Sequence, residues 1–106
     1  MKILLDECLP VDFRHSFPDH EVHSAQWAGF RGMKNGRLLL AAEESGYDVL
    51  VTIDQGIRHQ QNSAGRQISI LILCAATSKI EDLLPLVAVV RIELAELQKG
   101  QVRFVR

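Results

Sequence analysis

Cysteine is scarce in this chain: only Cys8 and Cys74 occur, far apart and without metal-ligand spacing. That argues against a zinc centre and for reduced, buried thiols. No run of about 18 apolar residues is present, so a membrane span is not expected. After Lys2 only Ile3, Leu4 and Leu5 precede Asp6, too short a stretch for a secretory signal, and a cytoplasmic location is the expectation. An excess of one charge is also missing. Twelve basic residues against 13 acidic ones give a formal net charge of -1, which excludes a polycationic nucleic-acid binder but leaves room for a local basic patch. Repeats, low-complexity tracts and linkers are absent too. With 106 residues, one domain over positions 1–106 with a single site is the expected organisation.

What is there reads as an α/β protein. Short aliphatic and β-branched runs predict strands at Lys2 to Leu5, Glu21 to Ser24, Asp48 to Thr52, Ile68 to Leu73 and Val102 to Val105. "VLVTI" and "ISILIL" are apolar at successive positions, the pattern of strands covered on both faces. Three helical segments are predicted between them. The first is short, Val11 to Ser16. The second runs from Gly36 to Ser45, with Asn35 as N-cap and Gly46 as the stop. The third opens at "SKIE", with Ser78 as cap and Glu81 at the capping-box position, and Pro85 must kink or restart it. The expectation is a three-layer fold with a central, mainly parallel sheet of four to five strands flanked by helices.

In such a sheet, ligands bind beyond the carboxyl ends of the strands. Asp6 follows "KILL" directly and Asp54 follows "DVLVTI", so two strands each deliver an acid to that edge. Neighbouring strands lie about 4.8 Å apart, and like charges about 4 Å apart repel by about 4 kcal/mol at an effective dielectric near 20. Such a pair calls for a cation, a shared proton or a base. Hard oxygen ligands favour Mg²⁺ or Mn²⁺, and metal-assisted phosphodiester hydrolysis is the reaction that suits them. Capping and Asx-turns are the competing explanation for either acid alone. Glu7 shares the corner, where an exposed turn position competes with metal ligation. Glu43 and Glu44 sit where the helix dipole disfavours anions, and at least one reads as solvated surface.

Two polar loops complete the region. "GFRGMKNGR" carries Arg31, Lys34 and Arg37 beside a helix N-terminus, which suits a phosphate backbone. "DQGIRHQQNSAGR" carries Arg58, His59, Gln60, Gln61 and Asn62, amides and bases able to contact RNA phosphates or base edges. Trp27 offers a ring for base stacking, against the commoner role of partly buried packing.

The segments "LLDECLP", "HEVHSAQWAGFRGMKNGRLLLAA", "YDVLVTIDQGIRHQQNSAGRQISILIL" and "SKIEDLLPLV", in this order, resemble the small PIN-like proteins of a bacterial domain family of unknown function. PIN domains are α/β nucleases whose acids at strand ends hold Mg²⁺ or Mn²⁺, and many are the RNA-cleaving toxins of toxin–antitoxin pairs. The resemblance implies a ribonuclease with Asp6 and Asp54 as catalytic metal ligands, RNA as substrate and an antitoxin protein as partner. It also departs from the pattern: Asn35, Gly36 and Arg37 stand where an acid is usual near the central helix start, and Gln55 and Gly56 where another acid often follows. Asn35 or Asn62 would then offer a neutral carbonyl ligand. Two alternatives follow: a degenerate PIN-like module that binds RNA or protein without cleavage, and a receiver-like phosphoacceptor domain. "VRFVR" at positions 102–106 is a candidate sheet edge for a homodimer.

Overall fold

The computed structural model describes residues 1–57 and 66–106. Five parallel strands form one sheet: β1 (Lys2–Leu5), β2 (Glu21–Ser24), β3 (Val49–Thr52), β4 (Ser69–Leu73) and β5 (Val102–Val105), in the order β2-β1-β3-β4-β5. The first strand is therefore interior, with β2 on one side and β3 on the other. Arg58, His59, Gln60, Gln61 and Asn62 lie outside the described residues.

The successive apolar residues are explained by the two faces they serve. Val49, Val51, Leu71 and Leu73 join one core, with Phe13, Phe17, Leu83, Val90 and Leu94. Leu50, Ile70 and Ile72 join the other, with Leu38, Leu39 and Ala42. Helix α1 (Asn35–Glu44) covers the second face, while α2 (Ile80–Leu83), α3 (Val87–Glu96) and a 3-10 segment at Val11–Ser16 cover the first. Pro85 sits in a 3-10 turn, Leu84–Leu86, that joins α2 to α3, the restart its missing N–H demands.

Local details differ from expectation at the helix starts. Asn35 is the first residue of α1 and not its cap; Lys34 holds the cap position without a side-chain bond. Ser78 does not cap α2 either. Thr77 does the polar work instead, with its Oγ1 accepting the Lys79 N–H at 3.1 Å and donating to Asp82. The stop after α1 is as expected, with Gly46 at φ 84°, a conformation costly for residues with a Cβ. Gly100 has a second reason to be glycine: at φ 74°, a Cβ there would lie 2.7 Å from the Arg66 carbonyl oxygen. The cysteines are free but not buried, Cys8 being exposed and Cys74 half-buried, because both lie just beyond strand ends and not within them.

Candidate active site at the carboxyl edge of the sheet

The chain leaves β1 toward β2 on one side and returns to build β3 on the other, so β1 and β3 flank the point where the strand order reverses. In doubly wound sheets that crevice is the ligand site. Asp6 and Asp54 emerge at its two sides. Asp6 stays on the ladder, its N–H donating to the Val51 carbonyl at 2.9 Å, one step past the Leu5–Val51 pair.

Thr52 joins the two acids. Its hydroxyl donates to Asp6 Oδ2 at 2.7 Å and accepts the Asp54 N–H at 3.0 Å, and the residue is fully buried. The other Asp6 oxygen, Oδ1, accepts the Glu7 N–H at 2.8 Å. Asp54 is exposed and closes an Asx-turn, its Oδ1 accepting the Gly56 N–H at 2.9 Å. A Cβ on Gly56 would approach Asp54 Oδ1 to 3.2 Å, so this position is fitted to hold Asp54 and carries no acid of its own.

Glu7 turns away from the acid pair. Its Oε1 accepts the Gly32 N–H at 3.0 Å, tying the β1 end to the loop that carries Arg31 and Lys34. That loop leads into the N-terminus of α1 at the same edge. Arg31, Lys34 and Arg37 are exposed, and the ion pairs of the described residues, formed by Glu21, Asp19 and Glu93, involve none of them. The uncapped first turn of α1 adds free N–H groups and the positive end of the helix dipole. Asn35 is half-buried at the start of this turn.

Cys8 lies alongside, its Sγ 3.8 Å from Thr52 Oγ1. Although the residue is exposed, partial burial of the sulfur, with the Asp6 charge adding to it, pushes the thiol above its ordinary range. It is therefore a neutral thiol at physiological pH and a poor soft-metal ligand.

Among the described residues, no three His, Cys, Asp or Glu side chains converge as a ready-made cation cage. The donors fit a sparser arrangement. Each carboxylate oxygen can accept two hydrogen bonds, so both acids keep lone pairs beyond the bonds described, and magnesium is commonly held by one or two carboxylates with waters completing its shell. Thr52 is the member that sequence reasoning missed. Its only signal was a polar residue closing an otherwise aliphatic strand, two positions before Asp54.

No family model, curated protein or solved structure matches the chain. No helix among the described residues is long and apolar enough to cross a membrane.

Proposed function

We propose that the protein is a PIN-like ribonuclease dependent on Mg²⁺ or Mn²⁺, with Asp6 and Asp54 as its catalytic acids. The observation that carries this reading is the hydrogen-bonded link Asp54–Thr52–Asp6 at the β1/β3 crevice. Two linked carboxylates at an edge with exposed cations that form no ion pair among the described residues suit a phosphodiester better than they suit a neutral ligand. The ion, when bound, would offset phosphate charge and acidify an attacking water. Asp6 and Asp54 are the residues that would hold it, while Lys34, Arg37 and the first turn of α1 would take the phosphate backbone. Glu7 positions the basic loop. An antitoxin partner, a homodimer paired along the β5 edge and a cytoplasmic location accompany this reading.

The test is incubation of purified protein with labelled RNA and Mg²⁺ or Mn²⁺, beside Asp6→Asn and Asp54→Asn. Metal-dependent cleavage lost in both variants is the expected result; equal cleavage in all three would assign the activity to a contaminant. Two other readings have an observation each. The sparse acid set favours a non-cleaving RNA- or protein-binding module, for which calorimetry with Mn²⁺ would give no site-specific heat. The 2-1-3-4-5 strand order, shared with receiver domains, and the exposed Asp54 favour a phosphoacceptor, which acetyl phosphate would label at Asp54.

A further inference from the structure

The open edge of β2 carries an aromatic arrangement that the acid pair does not use. Trp27 is the single tryptophan and is 71% exposed, unlike the partly buried packing role expected of it. It is nonetheless fixed. Its backbone N–H donates to Ser24 Oγ at 3.1 Å, which anchors the main chain, and its ring lies on the His23 imidazole, centroids 4.1 Å apart and planes 28° from parallel. His23 is itself held, with Nδ1 2.9 Å from the Tyr47 hydroxyl and Nε2 3.5 Å from the Glu21 carboxylate. One face of the indole is backed by a positioned ring, and its exposure leaves the other face to solvent.

A cleft of about 230 Å³ adjoins this stack, lined by Val11, Arg14, Val22, His23, Ser24 and Trp27. Arg14 is steadied by an Nη1–H bond to the Val11 carbonyl at 3.2 Å, and no carboxylate among the described residues pairs with it. An aromatic wall, aliphatic lining and an unneutralised guanidinium are the three components that hold an unpaired nucleotide: its base by stacking, its phosphate by charge. The Leu5–Ser24 pair sets the start of this loop beside the strand end bearing Asp6.

We propose that Trp27, backed by His23 and flanked by Arg14, is a base-stacking subsite for single-stranded RNA, one strand away from the acid pair. The choice of RNA rests on the ribonuclease reading; the stack and cleft do not.

The experiment uses the intrinsic fluorescence of Trp27, which is unambiguous because no other indole exists. Wild-type protein in EDTA, where cleavage is silent, is titrated with a single-stranded RNA oligonucleotide. Saturable quenching is expected, with Trp27→Leu weakening binding of the labelled oligonucleotide about 10- to 100-fold and Trp27→Phe restoring part of it. Arg14→Gln should weaken binding and lower the salt dependence by about one charge. Circular dichroism checks that each variant folds. Absence of quenching overturns the subsite, and if wild type still cleaves RNA with metal, the ribonuclease reading survives that loss. Quenching without cleavage keeps the subsite and removes the nuclease. Equal quenching by polyphosphate or by duplex RNA would show that charge and not base stacking is responsible, and saturation by an aromatic peptide but not by RNA would make the cleft a protein contact; either overturns the proposal.

Discussion

The two edges of the sheet link their polar residues differently. At the amino edge, side chains are consumed in sewing the backbone together. Asp48 accepts the Lys2 N–H at 2.8 Å, and Lys2 Nζ donates to the Ser45 carbonyl while lying 4.6 Å from the Tyr47 ring centre. Glu43 accepts the N–H groups of Gln67 and Ile68, and Ser69 Oγ donates to the Gln98 carbonyl. A cleft of about 640 Å³ lies there, larger than the one beside Trp27, yet the acids lining it are engaged by main-chain donors. At the carboxyl edge Asp6, Glu7 and Asp54 also accept main-chain N–H groups, but Thr52 ties two of these acids together. Arg31, Lys34 and Arg37 are exposed and in no ion pair among the described residues. The larger cleft and the linked acid pair therefore lie at opposite edges.

This contrast can be broken by mutation, starting where the effect is greatest. Asp54→Asn should lower metal-dependent RNA cleavage by more than about 100-fold, since removing even an outer-shell partner typically costs 10–100-fold, while the thermal midpoint stays near that of wild type. Thr52→Val comes next. It keeps shape but leaves the Asp54 N–H without its acceptor, at about 1–3 kcal/mol; urea unfolding should record that loss, and cleavage should fall with it. Glu43→Gln tests the amino edge. Exchanging a charged for a neutral acceptor should cost about 1 kcal/mol in urea unfolding, and cleavage should not change. Were Glu43→Gln to lose activity with stability intact, the division between edges would fail.

The smallest effect concerns Cys8. Its raised pKa means that the folded state favours the thiol: the associated stability is present below the ordinary thiol pKa and is lost as pH rises through the folded one. Iodoacetamide should accordingly modify Cys8 more slowly than a free cysteine near pH 8, with peptide mass spectrometry separating it from Cys74. Asp6→Asn, by removing the nearby charge, should speed that reaction.

The layers were legible because local pattern carries them. Continuous apolar runs such as Ile70–Leu71–Ile72 need two covered faces, and Pro85 breaks a helix wherever it falls. The acid pair was legible for the same reason, each aspartate closing its own strand. Contacts made across distance were not. Glu43 read as a candidate for solvated surface because its helix position disfavours an anion, whereas its actual partners, Gln67 and Ile68, are 24 and 25 residues away; Glu44, its neighbour, is indeed exposed. Ser78 reads as a cap by composition, but the path of the chain puts Lys79 at the cap position and gives its N–H to Thr77. Trp27 was ambiguous because nothing local says whether a ring will find a core or, as here, stack on His23 at the surface.

Thr52 has one hydroxyl proton, and it goes to Asp6. The two acids therefore differ in latitude. Asp6 is clamped through both oxygens and its own N–H, a fixed datum for whatever binds. Asp54 has its own N–H on the Thr52 hydroxyl, but of its carboxylate one oxygen is gripped, by the Gly56 N–H two residues on, which leaves the side chain an adjustable arm. Lengthening each by one methylene should expose the asymmetry: Asp6→Glu has to dislodge Thr52, whereas Asp54→Glu can swing outward and retain part of its reach.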